Sequence, residues 1–164
     1  MGTLTDRIPT PCIGVCSTGI GDSVCRGCKR FAHEIIAWNG YSTGQKRIID
    51  QRLDHFLTQV VTNKLVIVDA DLLRLQLEQL RIRYPRHRGP GSWVFALLRA
   101  GASQIDRPAD FGLQRQPGYE DWSMLELREA IDREWFELSE AHYDRYIRAP
   151  HLRASPPEGD DSSQ

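Results

Sequence analysis

All four cysteines of the 164-residue chain lie between Cys12 and Cys28, and the 136 residues that follow contain none. Their spacing is Cys12-x3-Cys16-x8-Cys25-x2-Cys28. Two close pairs separated by a glycine-rich loop can bring four sulfurs to the corners of a tetrahedron. Each pair can close a tight turn whose backbone amides point at sulfur. Such a turn favours thiolate, and a bound cation lowers the thiol pKa further. Zinc takes four thiolates at Zn–S distances near ~2.3 Å, and iron–sulfur clusters take the same four ligands.

Two other uses of the thiols compete. A pair of disulfides fits the even count but belongs to exported chains, and MGTLTDRIPTPC has no apolar core of the signal-peptide kind. A Cys-x-x-Cys redox couple normally opens a helix inside a βαβ unit. Cys25 and Cys28 do precede a helix, but no βαβ pattern surrounds them. The expectation is one metal centre held by Cys12, Cys16, Cys25 and Cys28. Zinc would make it a structural staple. An iron–sulfur cluster would make it a redox or cluster-handling site. The spacing leaves both open.

The remaining pattern is helical. A short helix is expected over Arg30–Trp38, stopped by Asn39-Gly40. Ser42 and Gln45 form a capping box for a helix to about Val61, with Ile49, Leu53, Phe56, Leu57 and Val60 on one face. LVIV after Lys64 reads as a strand or as more helix. Leu72, Leu73, Leu77 and Leu80 stripe a helix from Asp69 or Asp71 that Pro85 ends. Ser92 can cap SWVFALLRAG, closed by Gly101. Residues 102–121 read as irregular. Ser123 and Glu126 open a long helix with Leu125, Ile131, Trp135, Leu138 and His142 inward. The fold class is therefore mostly α, an N-terminal cysteine metal knuckle followed by a small helical domain. Residues 1–61 form a metal module with two helices, 62–149 a helical extension of unknown role, and 150–164 a disordered tail.

Pro11-Cys12-Ile13, Val15-Cys16, Cys25-Arg-Gly27-Cys28, Arg30, Glu34-Ile35, Trp38 and Lys46-Arg47 together resemble the small bacterial family known as domain of unknown function 1289. Its members are labelled predicted iron–sulfur proteins, a label inferred from their cysteines. The resemblance covers about residues 9–57. It implies a four-cysteine centre, zinc or iron–sulfur, and no defined activity. Family members often carry Thr where this chain has Phe31, so the capping box that Thr would make with Glu34 is lost here, and the Cys28 thiolate is a candidate substitute acceptor.

Arg30, Glu34 and Trp38, four apart, share a helix face that is either a salt bridge over a core tryptophan or a partner-binding surface. Arg81, Arg83, Arg86 and Arg88 cluster around Tyr84 and are either a solvated helix end with arginines at the negative end of the dipole or a second candidate partner surface, for phosphates of nucleic acid or for a protein. The helix after Cys28 is too apolar to read a DNA groove convincingly. Charge is uneven: net +2 over 1–61, +4 over 62–118 and −7 over 119–164. A basic front can face an acidic back, or offer itself to an anionic partner. No nucleophile elbow, P-loop, dinucleotide fingerprint or His-Glu-x-x-His is present. The chain reads as a cytoplasmic, non-membrane metal protein, more readily a module than an enzyme.

Overall fold

Two long helices begin where their first residues dictate. Ser42 accepts the Gln45 amide at 3.2 Å, and the Gln45 side chain takes the Ser42 amide at 2.9 Å. Ser123 and Glu126 repeat the exchange at 3.1 and 2.8 Å. The structure, a computed structural model, describes residues 7–154. It runs through the cysteine loop into α1 (Ala32–Ala37), α2 (Thr43–Thr62), β1 (Leu65–Ile67), α3 (Ala70–Gln79), α4 (Pro90–Gly101), β2 (Leu113–Arg115), α5 (Met124–Tyr143) and α6 (Ala149–Ala154).

The core is a helix-on-helix assembly: α2 packs on α4 and α5, α4 on α5, and α3 on α4. Leu53, Leu57 and Val61 of α2 meet Val94 and Leu98 of α4 and Leu127 and Ile131 of α5 in one buried cluster that extends from Trp38 to Trp135. The boundary expected near residue 61 crosses this cluster. Among the described residues no helix is long and apolar enough to cross a membrane.

Several local expectations are corrected. LVIV supplies β1, which pairs antiparallel with β2 in the register Leu65↔Arg115, Val66↔Gln114, Ile67↔Leu113; the stretch read as irregular thus carries a strand. Gly112, with φ 69°, makes the approach possible: its carbonyl accepts from Val68 and Asp69 at 2.8 and 3.1 Å, and a Cβ there would stand 2.3 Å from the Asp69 carbonyl oxygen. Helix α3 stops well before Pro85. Arg81 adopts φ 55°, Ile82 donates to the Leu77 carbonyl and Arg81 to that of Glu78, which closes the helix in a Schellman turn. Leu80 at this end and Leu125 at the start of α5 are exposed, while Met124 and Leu127 turn inward. Ser92 does not cap α4; it lies in its first turn, and its hydroxyl donates to Asp54 at 2.6 Å.

Helical structure also runs further than expected at the C-terminal end. After α5 the turn over Asp144–Arg148 widens to a π-helix, and α6 follows. Pro150 falls in the first turn of α6, and the wide turn before it relieves the clash and lost hydrogen bond that proline imposes inside a helix. The rest of the expected loose tail, 155–164, lies outside the described residues.

Candidate metal centre

The second cysteine pair sits in a small hairpin. The Cys25 amide donates to the Arg30 carbonyl at 2.9 Å, Lys29 donates back to Cys25 at 2.8 Å, and Ala32 donates to Ser23 at 2.9 Å. Val24 and Phe31 form an antiparallel bridge. The turn between the strands folds around sulfur. Burial raises the Cys25 thiol, but N–H groups of Cys28, Ser17 and Gly27 and the Cys28 side chain outweigh it and hold the pKa at about 7. Burial pushes the Cys28 thiol up, opposed by Arg30, whose Nε donates to Sγ at 3.3 Å. Both sulfurs are buried.

The first pair lies on an arm that packs over this hairpin. The Gly14 amide donates to Cys12 Sγ at 3.4 Å, and the Cys25 thiol reaches the Val15 carbonyl at 3.5 Å. Gly27 allows the contact: a Cβ there would stand 2.4 Å from the Val15 carbonyl oxygen. Cys12 and Cys16 are exposed, and Cys16 Sγ meets the Thr18 hydroxyl at 3.0 Å. Among the described residues no three His, Cys, Asp or Glu side chains converge closely enough to hold an ion as they stand. The donor chemistry nonetheless fits a thiolate-ligated centre. Two sulfurs are paired in an amide-lined turn, and two more lie on the arm stacked against it.

The hairpin is fastened to the helices by residues that carry no motif. Lys29 has φ 65° and is buried. Its ammonium donates to the Asp132 carboxylate on α5 and to the carbonyls of Arg26 and Gly27, and lies 4.7 Å from the Trp135 ring centre. Burial lowers its pKa, and Asp132 counters that. The Arg26 guanidinium covers Phe136 at 4.5 Å. Lys64 repeats the pattern from α2's end, pairing with Glu134 at 2.7 Å. Basic residues of the front thus meet acidic residues of the back.

Phe31 offers no side-chain cap, and only the Glu34 half of the box forms: Glu34 Oε1 accepts the Phe31 amide at 2.9 Å. The Cys28 sulfur is occupied by Arg30 instead. Arg52 of α2 forks onto Glu34 at 2.7 and 2.6 Å and covers the Phe31 ring at 4.0 Å. Arg30 covers Trp38 at 4.8 Å. Arg30, Glu34 and Trp38 are therefore all buried, the ion pair runs to Arg52 rather than within α1, and the face points into the protein.

The four arginines of 81–88 divide. Arg88 is bound to Asp50 at 2.6 Å, with His87 on the other carboxylate oxygen at 3.1 Å. Arg86 leans on Tyr84 and lies 3.4 Å from Glu78. Arg81 and Arg83 are exposed. All four line a groove of about 1090 Å³ whose other wall holds Cys12 and Cys28. Arg99 also lines the groove. No local pattern in the sequence marks Lys29, Arg52 or Asp132, because each acts through a neighbour distant along the chain.

Residues 10–56 match the model of a family described as Protein of unknown function (DUF1289). The matched span takes in the four cysteines, α1 and most of α2. No curated protein and no solved structure matches the chain.

Proposed function

We propose that the DUF1289 segment of this chain is a metal-binding module in which Cys12, Cys16, Cys25 and Cys28 hold one zinc ion or one iron–sulfur cluster, and that the module is non-catalytic, a structural or interaction element of a cytoplasmic protein. The observation that supports this best is the surroundings of Cys25: its thiol lies 3.5 Å from the Val15 carbonyl of the other cysteine loop, and the backbone of Cys28, Ser17 and Gly27 lowers its pKa to about 7 against the effect of burial, toward the range of a ligating thiol. The contact of Gly27 with Val15 adds that the two cysteine loops belong to one unit.

The iron–sulfur version gains from the unequal exposure of the pairs. Cys25 and Cys28 are buried, while Cys12 and Cys16 face solvent. A centre with one open edge suits electron exchange or cluster transfer better than a closed structural zinc.

Single Cys→Ser variants at the four positions test the module. Each is expected to lower bound metal well below the wild-type ratio. A variant that keeps the full ratio removes that cysteine from the ligand set. Colour distinguishes the versions: thiolate-ligated clusters absorb in the visible, and a zinc centre is colourless.

A further inference from the structure

We infer that the groove between the cysteine hairpin and residues 81–88 binds a phosphate-bearing small molecule. Its charge is strongly one-sided: Arg81, Arg83, Arg86, Arg88 and Arg99 line it, and Asp50 is the acidic residue among the lining. Asp50 is already neutralised by Arg88 and His87. Arg81, Arg83 and Arg99 have no ion-pair partner among the described residues. Three free guanidinium groups on one concavity repel each other, and an anion between them removes that cost. Guanidinium forks match phosphate oxygens, which supply enough acceptors for several arginines at once.

Trp135 lines the same groove, and its buried indole N–H has no acceptor among the described residues, a costly state for a donor. Arg81 stands on the groove at the turn that closes α3, with a left-handed backbone, φ 55°, where glycine is the residue without steric cost.

Size and lining select the class. About 1090 Å³ is far more than inorganic phosphate fills and suits a ligand of nucleotide size. Ile82, Ala96 and Ala100 offer an apolar surface for the body of such a molecule. A single nucleic-acid strand is less well served, because the aromatic rings here are not free for base stacking: Phe95 is buried edge-on against Trp135, and Tyr84 is buried and covered by Arg86.

Calorimetric titration of the full chain, purified with its metal, tests this with pyrophosphate, ADP, citrate and a single-stranded oligonucleotide as probes. Pyrophosphate and ADP are expected to bind, more weakly at higher salt. Arg83→Ala and Arg99→Ala should each weaken binding about tenfold or more, and Arg107→Ala, on an exposed pair with Asp110, should not. Arg81→Gly is the sharpest variant: it should raise the melting temperature and still weaken binding. The inference is overturned if neither pyrophosphate nor ADP binds, if citrate or the oligonucleotide binds and they do not, or if the arginine variants bind as the wild type does. The Cys→Ser metal ratios do not enter these outcomes, so the groove and the metal module fail separately.

Discussion

The ammonium of Lys29 and the carboxylate of Asp132, 103 residues apart in sequence, form an ion pair that fastens the cysteine hairpin to α5. Lys29 is 1% exposed, whereas the Asp132 side chain is 52% exposed. The lysine therefore depends on this contact, two carbonyls and the Trp135 ring in place of water. Asp132→Asn weakens the pair without emptying the site, and water reaches part of the gap. A loss of about 1–2 kcal/mol is expected. Amides of residues 23–32 should gain hydrogen exchange before those of α2. Unchanged exchange there would mean the hairpin is held by something else.

Phe31 supports a second prediction. Phe31→Thr would supply the side-chain cap that Phe31 cannot, a gain of about 1 kcal/mol. It would also remove a ring that is 2% exposed and packed on Arg52, Tyr143 and His142. Truncating a buried phenylalanine costs about 3–5 kcal/mol. The packing loss wins, and denaturant unfolding should show a net destabilisation of roughly 2 kcal/mol or more. A stabilised variant would show that the cap is the stronger effect here.

The N-terminus of α4 is capped from another helix. Asp54 of α2 accepts the Gly89 amide at 3.3 Å and the Ser92 hydroxyl at 2.6 Å. Asp54→Ala should cost about 1–2 kcal/mol, since it removes a cap and strands a buried hydroxyl. Ser92→Ala leaves the backbone cap in place and should cost less. Equal losses would contradict the assignment of the cap to Asp54.

His142 predicts a pH dependence. Its ring lies edge-on to Phe56 at 5.2 Å, and burial, with the charge of Arg52, lowers its pKa below the ordinary 6.5, against the opposing pull of Glu34. The unfolded chain therefore takes up this proton at higher pH than the folded one. The neutral ring's contribution is fully present above about pH 6.5 and fades as pH falls through the lower folded value. Thermal melts from about pH 7 to about pH 5 should show a drop that His142→Gln reduces. An identical pH profile in the variant would remove His142 as the cause.

The helices were legible because their signals are local. Ser42–Gln45 and Ser123–Glu126 act over three residues, and the stripe of Ile49, Leu53 and Leu57 needs only helical spacing. Local reasoning failed where the deciding partner lies far along the chain. The pairing of Leu113–Arg115 with β1 depends on Gly112 reaching the Asp69 backbone. Ser92 has the side chain of a cap, but Asp54, 38 residues away, takes its hydroxyl. At the start of α5 helical spacing alone does not fix the phase, and Met124 and Leu127 rather than Leu125 face the core. At the candidate centre the cysteines were plain in the sequence, but Lys29, Arg52 and Asp132 were not. A lysine is normally solvated, and nothing next to Cys28 announces that this one is buried.

Whether one metal centre takes all four thiols is decided by metal and acid-labile sulfide content, with X-ray absorption at the metal edge, on protein purified without oxygen. One centre per chain with a sulfur-only shell is expected: a single zinc with four sulfurs at ~2.3 Å, or iron with sulfide in cluster proportion and visible absorption. Protein that binds neither metal at a whole-centre ratio, or that binds one through nitrogen and oxygen, rules out a four-thiolate centre.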